Sequence, residues 1–147
     1  MVRPVEALRK ATADSWRMIA RGARRIAYLR VWTWTGHESQ QIVLEAIRKS
    51  NAERADGFVL DLRDGWGGAD PSYLGIFAKQ IPLLESIDRS GKRSAFDAQI
   101  RTPAVILING GTTSGKELIA YGAKKQRLAR PRRQRIGGCA RRGRLYP

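Results

Sequence analysis

Short apolar runs alternate with helical patterns along most of the chain. Residues 25–34 alternate along two faces and are rich in β-branched and aromatic side chains, which is typical of a strand. Residues 57–62 and 103–109 are continuous apolar runs, as expected for strands that are buried on both faces. Residues 38–54 and 114–127 place apolar side chains at helical spacing. This order predicts an α/β fold of mostly parallel strands joined by crossover helices.

Three other segments have weaker patterns. Residues 71–87 predict a helix with a break at Pro82, because proline removes a helical hydrogen bond. Residues 89–101 predict a polar loop. Residues 4–19 fit either a short helix or a linker, so residues 1–22 are expected to be a linker or the remnant of an upstream segment.

The formal net charge of +15 is concentrated at one end of the chain. Residues 121–147 contain ten Lys or Arg and no acid, so this end can bind polyanions non-specifically, and no specific nucleic-acid partner is predicted. Residues 131–147 lack apolar periodicity and are expected to be disordered, or to result from translation in a wrong frame. The expected folded core is therefore residues 23–130.

The composition also excludes several kinds of site. Cys139 is the only cysteine, which excludes a disulfide within the chain and a zinc site built from several cysteines. His37 is the only histidine, which excludes metal sites that need two imidazoles and leaves one candidate for a histidine-assisted nucleophile. The sequence contains neither a secretory signal nor an apolar stretch of the roughly 20 residues that a membrane span needs.

Two glycine-rich turns follow the two apolar runs. The first, residues 64–68, comes directly after residues 57–62, and its backbone N–H groups can face an anion or a developing oxyanion. A plain strand-to-helix turn without a ligand fits these residues equally well. The second turn begins at Gly110 and leads into the helix of residues 114–127.

The second turn allows three interpretations. Ser114 and Glu117 have the spacing of a helix-capping box. Gly110, Gly115 and Lys116 fit a phosphate-binding loop, but Glu117 stands where that motif needs Ser or Thr to hold magnesium. In the third interpretation Ser114 is a nucleophile at a helix N-terminus, with neighbouring N–H groups as part of an oxyanion hole.

Taken together, these segments resemble the tail-specific, or C-terminal processing, serine peptidases, which include the peptidase core of tricorn protease. Residues 25–31 are similar to the opening strand of that family. Residues 56–63 followed by Gly67-Gly68 are similar to its D-L-R-x-N-x-G-G signature, and residues 103–118 are similar to its strand, turn and S-A-S-A-S-E motif. The resemblance implies a partial layered ββα superhelix like that of Clp proteases and crotonases.

The resemblance also implies roles for individual residues. Ser114 matches the nucleophile, Gly115 would donate one oxyanion N–H, and Gly67 or Gly68 would donate the other. Glu117 would help to fix the site. The implied substrate is an unfolded or C-terminal polypeptide segment, with no metal or organic cofactor, and members of the family usually act outside the cytoplasm.

The general base cannot be identified by the resemblance. In the processing peptidases it is a lysine that follows the nucleophile helix, and residues 131–147 do not match that region. Lys116 is expected to point away from Ser114, which leaves His37 as the candidate base. We therefore expect a serine peptidase core of weak or no activity. The alternatives are a phosphate-loop nucleotide hydrolase using Lys116 and a non-catalytic peptide-binding remnant.

Overall fold

A computed structural model describes residues 3–78, 84–96 and 99–133. The α-helices in this part of the chain are α1 Pro4–Asp14, α2 Gly36–Ala52 and α3 Gly115–Lys125, and a 3₁₀ helix covers Pro71–Phe77. The strands are β1 Arg17–Arg21, β2 Arg24–Arg30, β3 Gly57–Asp61, β4 Leu84–Ile87, β5 Arg93–Phe96, β6 Ala104–Ile108 and β7 Arg130–Arg133. None of the described helices is long and apolar enough to cross a membrane.

Five of the strands form one sheet in the order β1-β2-β3-β6-β7. β2, β3, β6 and β7 are parallel, and β1 is antiparallel to β2. α2 follows β2 and precedes β3, while α3 follows β6 and precedes β7, as the crossovers of a parallel sheet require. The predicted α/β class, with mostly parallel strands and crossover helices, is confirmed.

The hydrophobic core lies between one face of this sheet and the helices. Alternate residues of β2, β3 and β6 supply the sheet side of the core: Ala27, Leu29, Phe58, Leu60, Ala104 and Ile106. The helices supply the other side: Val43, Ala46 and Ile47 from α2, Ile76 and Phe77 from the 3₁₀ helix, and Ile119, Ala120 and Ala123 from α3. This packing fixes the start of α3 relative to the carboxyl ends of the strands.

The hydrophobic pattern of residues 1–22 does not predict β1. Pro4–Asp14 adopts the helical alternative, and the following residues form an edge strand that pairs with β2. Arginine-rich strands are tolerated at a sheet edge because one side of the strand remains in water. Gly22 was the sequence signal for a hairpin, because glycine is common in tight turns. In the structure its φ is +58°, and it lies in the turn that joins β1 to β2.

The prediction of a helix over residues 71–87 is wrong at Leu84–Ile87, which pairs as β4 with β5. Earlier in this segment the structure has the 3₁₀ helix Pro71–Phe77, and residues 79–83 lie outside the described residues. The predicted loop of residues 89–101 contains β5, so it is also corrected. Asp88 stabilises the turn between the two strands, because its carboxylate accepts hydrogen bonds from Ser90 N–H and Lys92 N–H.

Ordered structure continues beyond the predicted boundary at Arg130. Arg130–Arg133 forms β7, which pairs in parallel with β6. The expectation of disorder from residue 131 is therefore corrected for residues 131–133. Strand pairing uses backbone groups, so an acid-free composition does not prevent it at a sheet edge. Residues 134–147 lie outside the described residues, and the assignment of that tail stays a prediction.

Candidate active site

Ser114 occupies a strained backbone position at the start of α3. Its φ and ψ are 55° and −133°, a conformation that residues with a side chain rarely adopt. Its backbone N–H donates a hydrogen bond of 3.0 Å to Glu117 Oε2, which forms the Glu117 half of the predicted capping box. Glu117 therefore holds the backbone of Ser114. A serine on a strained turn between a strand and a helix is typical of an exposed nucleophile.

The first glycine turn is in contact with Ser114. A Cβ on Gly67 would lie 2.6 Å from Ser114 Cβ and 3.2 Å from its Oγ, so only glycine fits without displacing Ser114. The Gly67 carbonyl accepts a hydrogen bond of 3.0 Å from Trp34 N–H, which fixes the turn. Gly68, with φ +91°, packs instead against Thr35. The structure thus brings Gly67 to the candidate nucleophile, with Gly68 one residue further away along the chain.

Gly115 allows the chain after the first turn to approach α3. A Cβ on Gly115 would collide with the backbone of Ala69, the residue that follows Gly68. Gly115 is the first residue of α3, so its N–H has no acceptor within the helix. The positive end of the helix dipole favours negative charge at this N–H. Gly115 and Gly67 therefore both lie beside Ser114, and their roles as oxyanion donors stay predictions.

A hydrogen-bonded link joins the two glycine turns. Asn109 Nδ2 donates to Asp64 Oδ1 at 2.9 Å, and Asn109 Oδ1 accepts from Asp64 N–H at 3.2 Å and from Gly111 N–H at 3.0 Å. Asp64 itself has a φ of +56°. This link fixes the spacing between the turns, and sequence analysis did not identify it because the two residues are far apart in the chain.

Lys116 is fully buried beneath the site. Its Nζ donates hydrogen bonds of 2.7 Å to the carbonyls of Val31 and Asp64. Burial lowers the pKa of Lys116 to about 8, although the nearby Asp61 carboxylate opposes that change. A buried amine that is hydrogen-bonded to two backbone carbonyls is not available to phosphates, so this geometry opposes the phosphate-loop alternative. The prediction that Lys116 points away from Ser114 agrees with these contacts.

Asp61 is buried at the end of β3 and paired with Arg63. Arg63 Nε donates to Asp61 Oδ1 at 2.8 Å, and Tyr28 Oη donates to Asp61 Oδ2 at 2.7 Å. Burial alone would raise the pKa of Asp61, but these hydrogen bonds outweigh it and hold the pKa below its ordinary value. Burial and the Asp61 carboxylate together raise the pKa of Tyr28. The Asp61 group holds the end of β3, from which the first turn departs.

His37 lies on the first turn of α2 and is exposed. Its Nε2 is 3.1 Å from Nε2 of Gln41. Within the described residues, no hydrogen bond joins His37 to Ser114. α2 begins just after Thr35, which packs against Gly68, so His37 lies on the same side of the molecule as the glycine turns.

The surroundings of Ser114 include exposed apolar side chains. Leu118 and Tyr121 follow Ser114 by four and seven residues on α3, so they share its side of the helix, and both are about half exposed. Trp66, next to Gly67, is exposed to a similar degree. These three side chains can contact an extended polypeptide. Across the described residues there is no cluster of three or more His, Cys, Asp or Glu that would hold a metal.

A protein-family model and two curated relatives that match this chain all describe peptidases. The family model of peptidase family S41 matches residues 25–137. The chain is 26% identical over 108 residues to a carboxyl-terminal-processing protease of Synechocystis, covering 69% of this chain and 25% of that protein. It is 31% identical over 114 residues to carboxyl-terminal-processing peptidase 2, chloroplastic, of Arabidopsis thaliana, covering 71% and 22%.

The fold agrees with a solved structure. A photosystem II D1 C-terminal processing protease superposes with a TM-score of 0.55 at 22% identity, covering 77% of this chain and 32% of that one. The chain spans about a quarter of the length of the curated relatives that it matches. The match of the family model covers most of the sequence, including both glycine turns and α3. The chain therefore belongs to peptidase family S41.

Proposed function

We propose that this chain provides the nucleophile and oxyanion hole of a serine-type peptidase. The observation that carries the proposal is the close approach of Gly67 to Ser114, whose backbone is strained at the N-terminus of α3. Such an arrangement suits acyl transfer, because hydrogen-bond donors that are already in place stabilise the charge that develops on the carbonyl oxygen. Membership of the S41 family supports the same chemistry.

In the proposed reaction, Ser114 Oγ attacks the carbonyl carbon of a peptide bond while a base takes the hydroxyl proton. Gly115 N–H and Gly67 N–H donate hydrogen bonds to the oxyanion. Gly67 is preferred over Gly68 because it lies against Ser114. The C–N bond then breaks, the amine leaves with a proton, and water hydrolyses the acyl-enzyme. Glu117 acts as a positioning residue through its hydrogen bond to Ser114 N–H.

The proposed substrate is the C-terminal segment of an unfolded polypeptide. Two relatives are named for carboxyl-terminal processing, and the exposed side chains of Trp66, Leu118 and Tyr121 give an extended chain apolar surface to contact. A peptide with a free C-terminal carboxylate should protect Ser114 from fluorophosphonate labelling at a lower concentration than its C-terminal amide does. Equal protection by the two peptides would contradict the proposed preference for C-terminal segments.

The nucleophile can be tested with a fluorescent fluorophosphonate and mass spectrometry. We expect the label to map to Ser114, to be absent from Ser114→Ala and to persist in Ser90→Ala, which removes a serine hydroxyl in the β4–β5 turn. Circular dichroism should show that both variants fold. Peptide binding without labelling of Ser114 in the parent chain would contradict the proposal and identify the chain as a non-catalytic binder.

A further inference from the structure

The two faces of the five-stranded sheet have different surroundings. One face packs against the helices, whereas the other carries apolar side chains that are only partly buried and do not belong to the packed core: Ile19, Ile26, Tyr28, Val59, Val105 and Leu107. The strand register places Tyr28, Val59 and Val105 side by side across β2, β3 and β6. We call these six residues the open face.

Arginines flank the open face at both edges of the sheet. Arg17 on β1 lies opposite Tyr28, and its guanidinium sits 4.1 Å from the centre of the tyrosine ring. Arg130 on β7 lies opposite Val105. Both arginines are exposed. Asp61, the carboxylate on this face within the described strands, is buried and paired with Arg63, so it neutralises neither edge.

We propose that the open face is a docking surface for an acidic amphipathic helix supplied by a partner polypeptide. The apolar stripe of that helix would cover Tyr28, Val59 and Val105, and carboxylates along its two sides would face Arg17 and Arg130. Neighbouring strands lie about 4.8 Å apart, so the outer strands are separated by roughly 19 Å. A helix with its side chains is about 10 Å wide, which leaves room for a carboxylate on each side.

Charge opposes two other occupants of the open face, residues 134–147 and a second copy of the chain. Residues 134–147 contain arginines and no Asp or Glu, so they would add positive charge beside Arg17 and Arg130. A second copy of the chain would place the same arginines against each other, and like charges that meet across an interface weaken it. An acidic amphipathic helix would instead contact the apolar centre of the open face and bring carboxylates to its basic edges.

The proposal can be tested with two helical peptides of about 18 residues. Both carry the same leucine stripe, flanked by Glu in one peptide and by Lys in the other. We expect the Glu-flanked peptide to bind the full chain about tenfold more tightly at low salt, by fluorescence anisotropy, and to lose that advantage at high salt. Equal binding of the two peptides, or binding of neither, would overturn the proposal.

Charge reversal locates the site of binding. Arg17→Glu combined with Arg130→Glu should weaken the Glu-flanked peptide and strengthen the Lys-flanked one, because the edge charges are exchanged. Lys124→Glu is the matched control, since it reverses an exposed charge on α3, which packs on the helical side of the sheet. If Lys124→Glu has the same effect as the double variant, the attraction is unspecific and the proposal fails.

A separate variant tests whether the apolar side chains of the open face contact the peptide. Val59→Thr keeps the shape and the β-branched side chain but adds a hydroxyl, so the strand should persist while the affinity for the Glu-flanked peptide falls. Unchanged affinity would show that the peptide binds elsewhere. Sedimentation velocity tests the remaining occupant: a concentration-dependent dimer that Val59→Thr weakens and Lys124→Glu does not would assign the open face to a second copy and overturn the proposal.

Discussion

The amine of Lys116 is buried between two carbonyls, so its protonation depends on folding. The folded state lowers its pKa from the ordinary 10.5 to about 8. Below pH 8 both folded and unfolded chains carry the proton, and the cost of burying the charge is fully present. Between pH 8 and 10.5 the unfolded chain binds more protons, so the free energy of unfolding rises with pH.

Comparison with Lys116→Met isolates this effect, because the other titrating groups are shared. From pH 8 to 10.5 the parent chain should gain about 3 kcal/mol in unfolding free energy relative to Lys116→Met, as a shift of this size implies. Below pH 7 the difference should be constant. Urea denaturation across this range measures the difference, and a flat difference between pH 8 and 10 would contradict the buried ammonium.

Replacement of the buried Asp61 carboxylate should lower the stability of the fold. Asp61→Asn leaves Arg63 without its carboxylate, and breaking a buried ion pair costs on the order of 3 kcal/mol. Glu45→Gln, on the exposed side of α2, should change stability by less than about 0.5 kcal/mol. Because the pKa of Asp61 is lowered in the folded state, its contribution should disappear as the pH falls below about 4. Equal urea midpoints for the two variants would contradict this role.

Only part of the Asp61 group can be predicted from the sequence. A carboxylate at the end of a buried strand requires a partner, and Arg63, two residues away, follows from that requirement. Tyr28 lies on a different strand, so its contact with Asp61 depends on the register between β2 and β3, which the sequence does not specify. The hydrogen bonds of Lys116 to Val31 and Asp64 escape prediction for the same reason.

At the scale of helices and strands, the elements with a strong hydrophobic pattern are predicted correctly, whereas those with a weak pattern are not. β3 and β6 are short continuous apolar runs, and α2 and α3 have a clear helical period, so all four agree with the structure to within a few residues. β4 and β5 have mixed composition and form a hairpin outside the main sheet. Their formation depends on the Asp88 turn, which the hydrophobic pattern does not reveal.

The junction between the first glycine turn and α3 determines whether Ser114 can react. Gly67→Ala should lower the rate of fluorophosphonate labelling by about a hundredfold, because the new Cβ displaces Ser114 and the adjacent oxyanion donor. Gly75→Ala is the matched control, since a Cβ there meets nothing within 4 Å. Both substitutions avoid a left-handed backbone, so both variants should fold. Equal labelling of the two variants would contradict the placement of Gly67 in the site.

At the scale of the whole molecule, β7 divides the C-terminal residues into two parts. Deletion of residues 134–147 should leave the thermal midpoint nearly unchanged and weaken salt-dependent binding to heparin, because the deleted residues are basic and acid-free. Deletion of residues 130–147 also removes β7 and exposes the edge of β6, so the midpoint should fall by several degrees. Equal midpoints for the two truncated chains would show that β7 contributes nothing to stability.

Turnover by the 147-residue chain depends on a base for Ser114. A serine hydroxyl needs a base within hydrogen-bond reach, and no described basic side chain hydrogen-bonds to Ser114 Oγ. In a comparable serine site, loss of the base lowers turnover on the order of a million-fold, while the oxyanion hole and binding retain about a thousand-fold over water. Peptide cleavage should therefore lie near background, and labelling of Ser114 should be slow. His37→Ala should then match the parent chain in labelling rate. Rapid proteolysis that is lost in both Ser114→Ala and His37→Ala would overturn this prediction and identify His37 as the base.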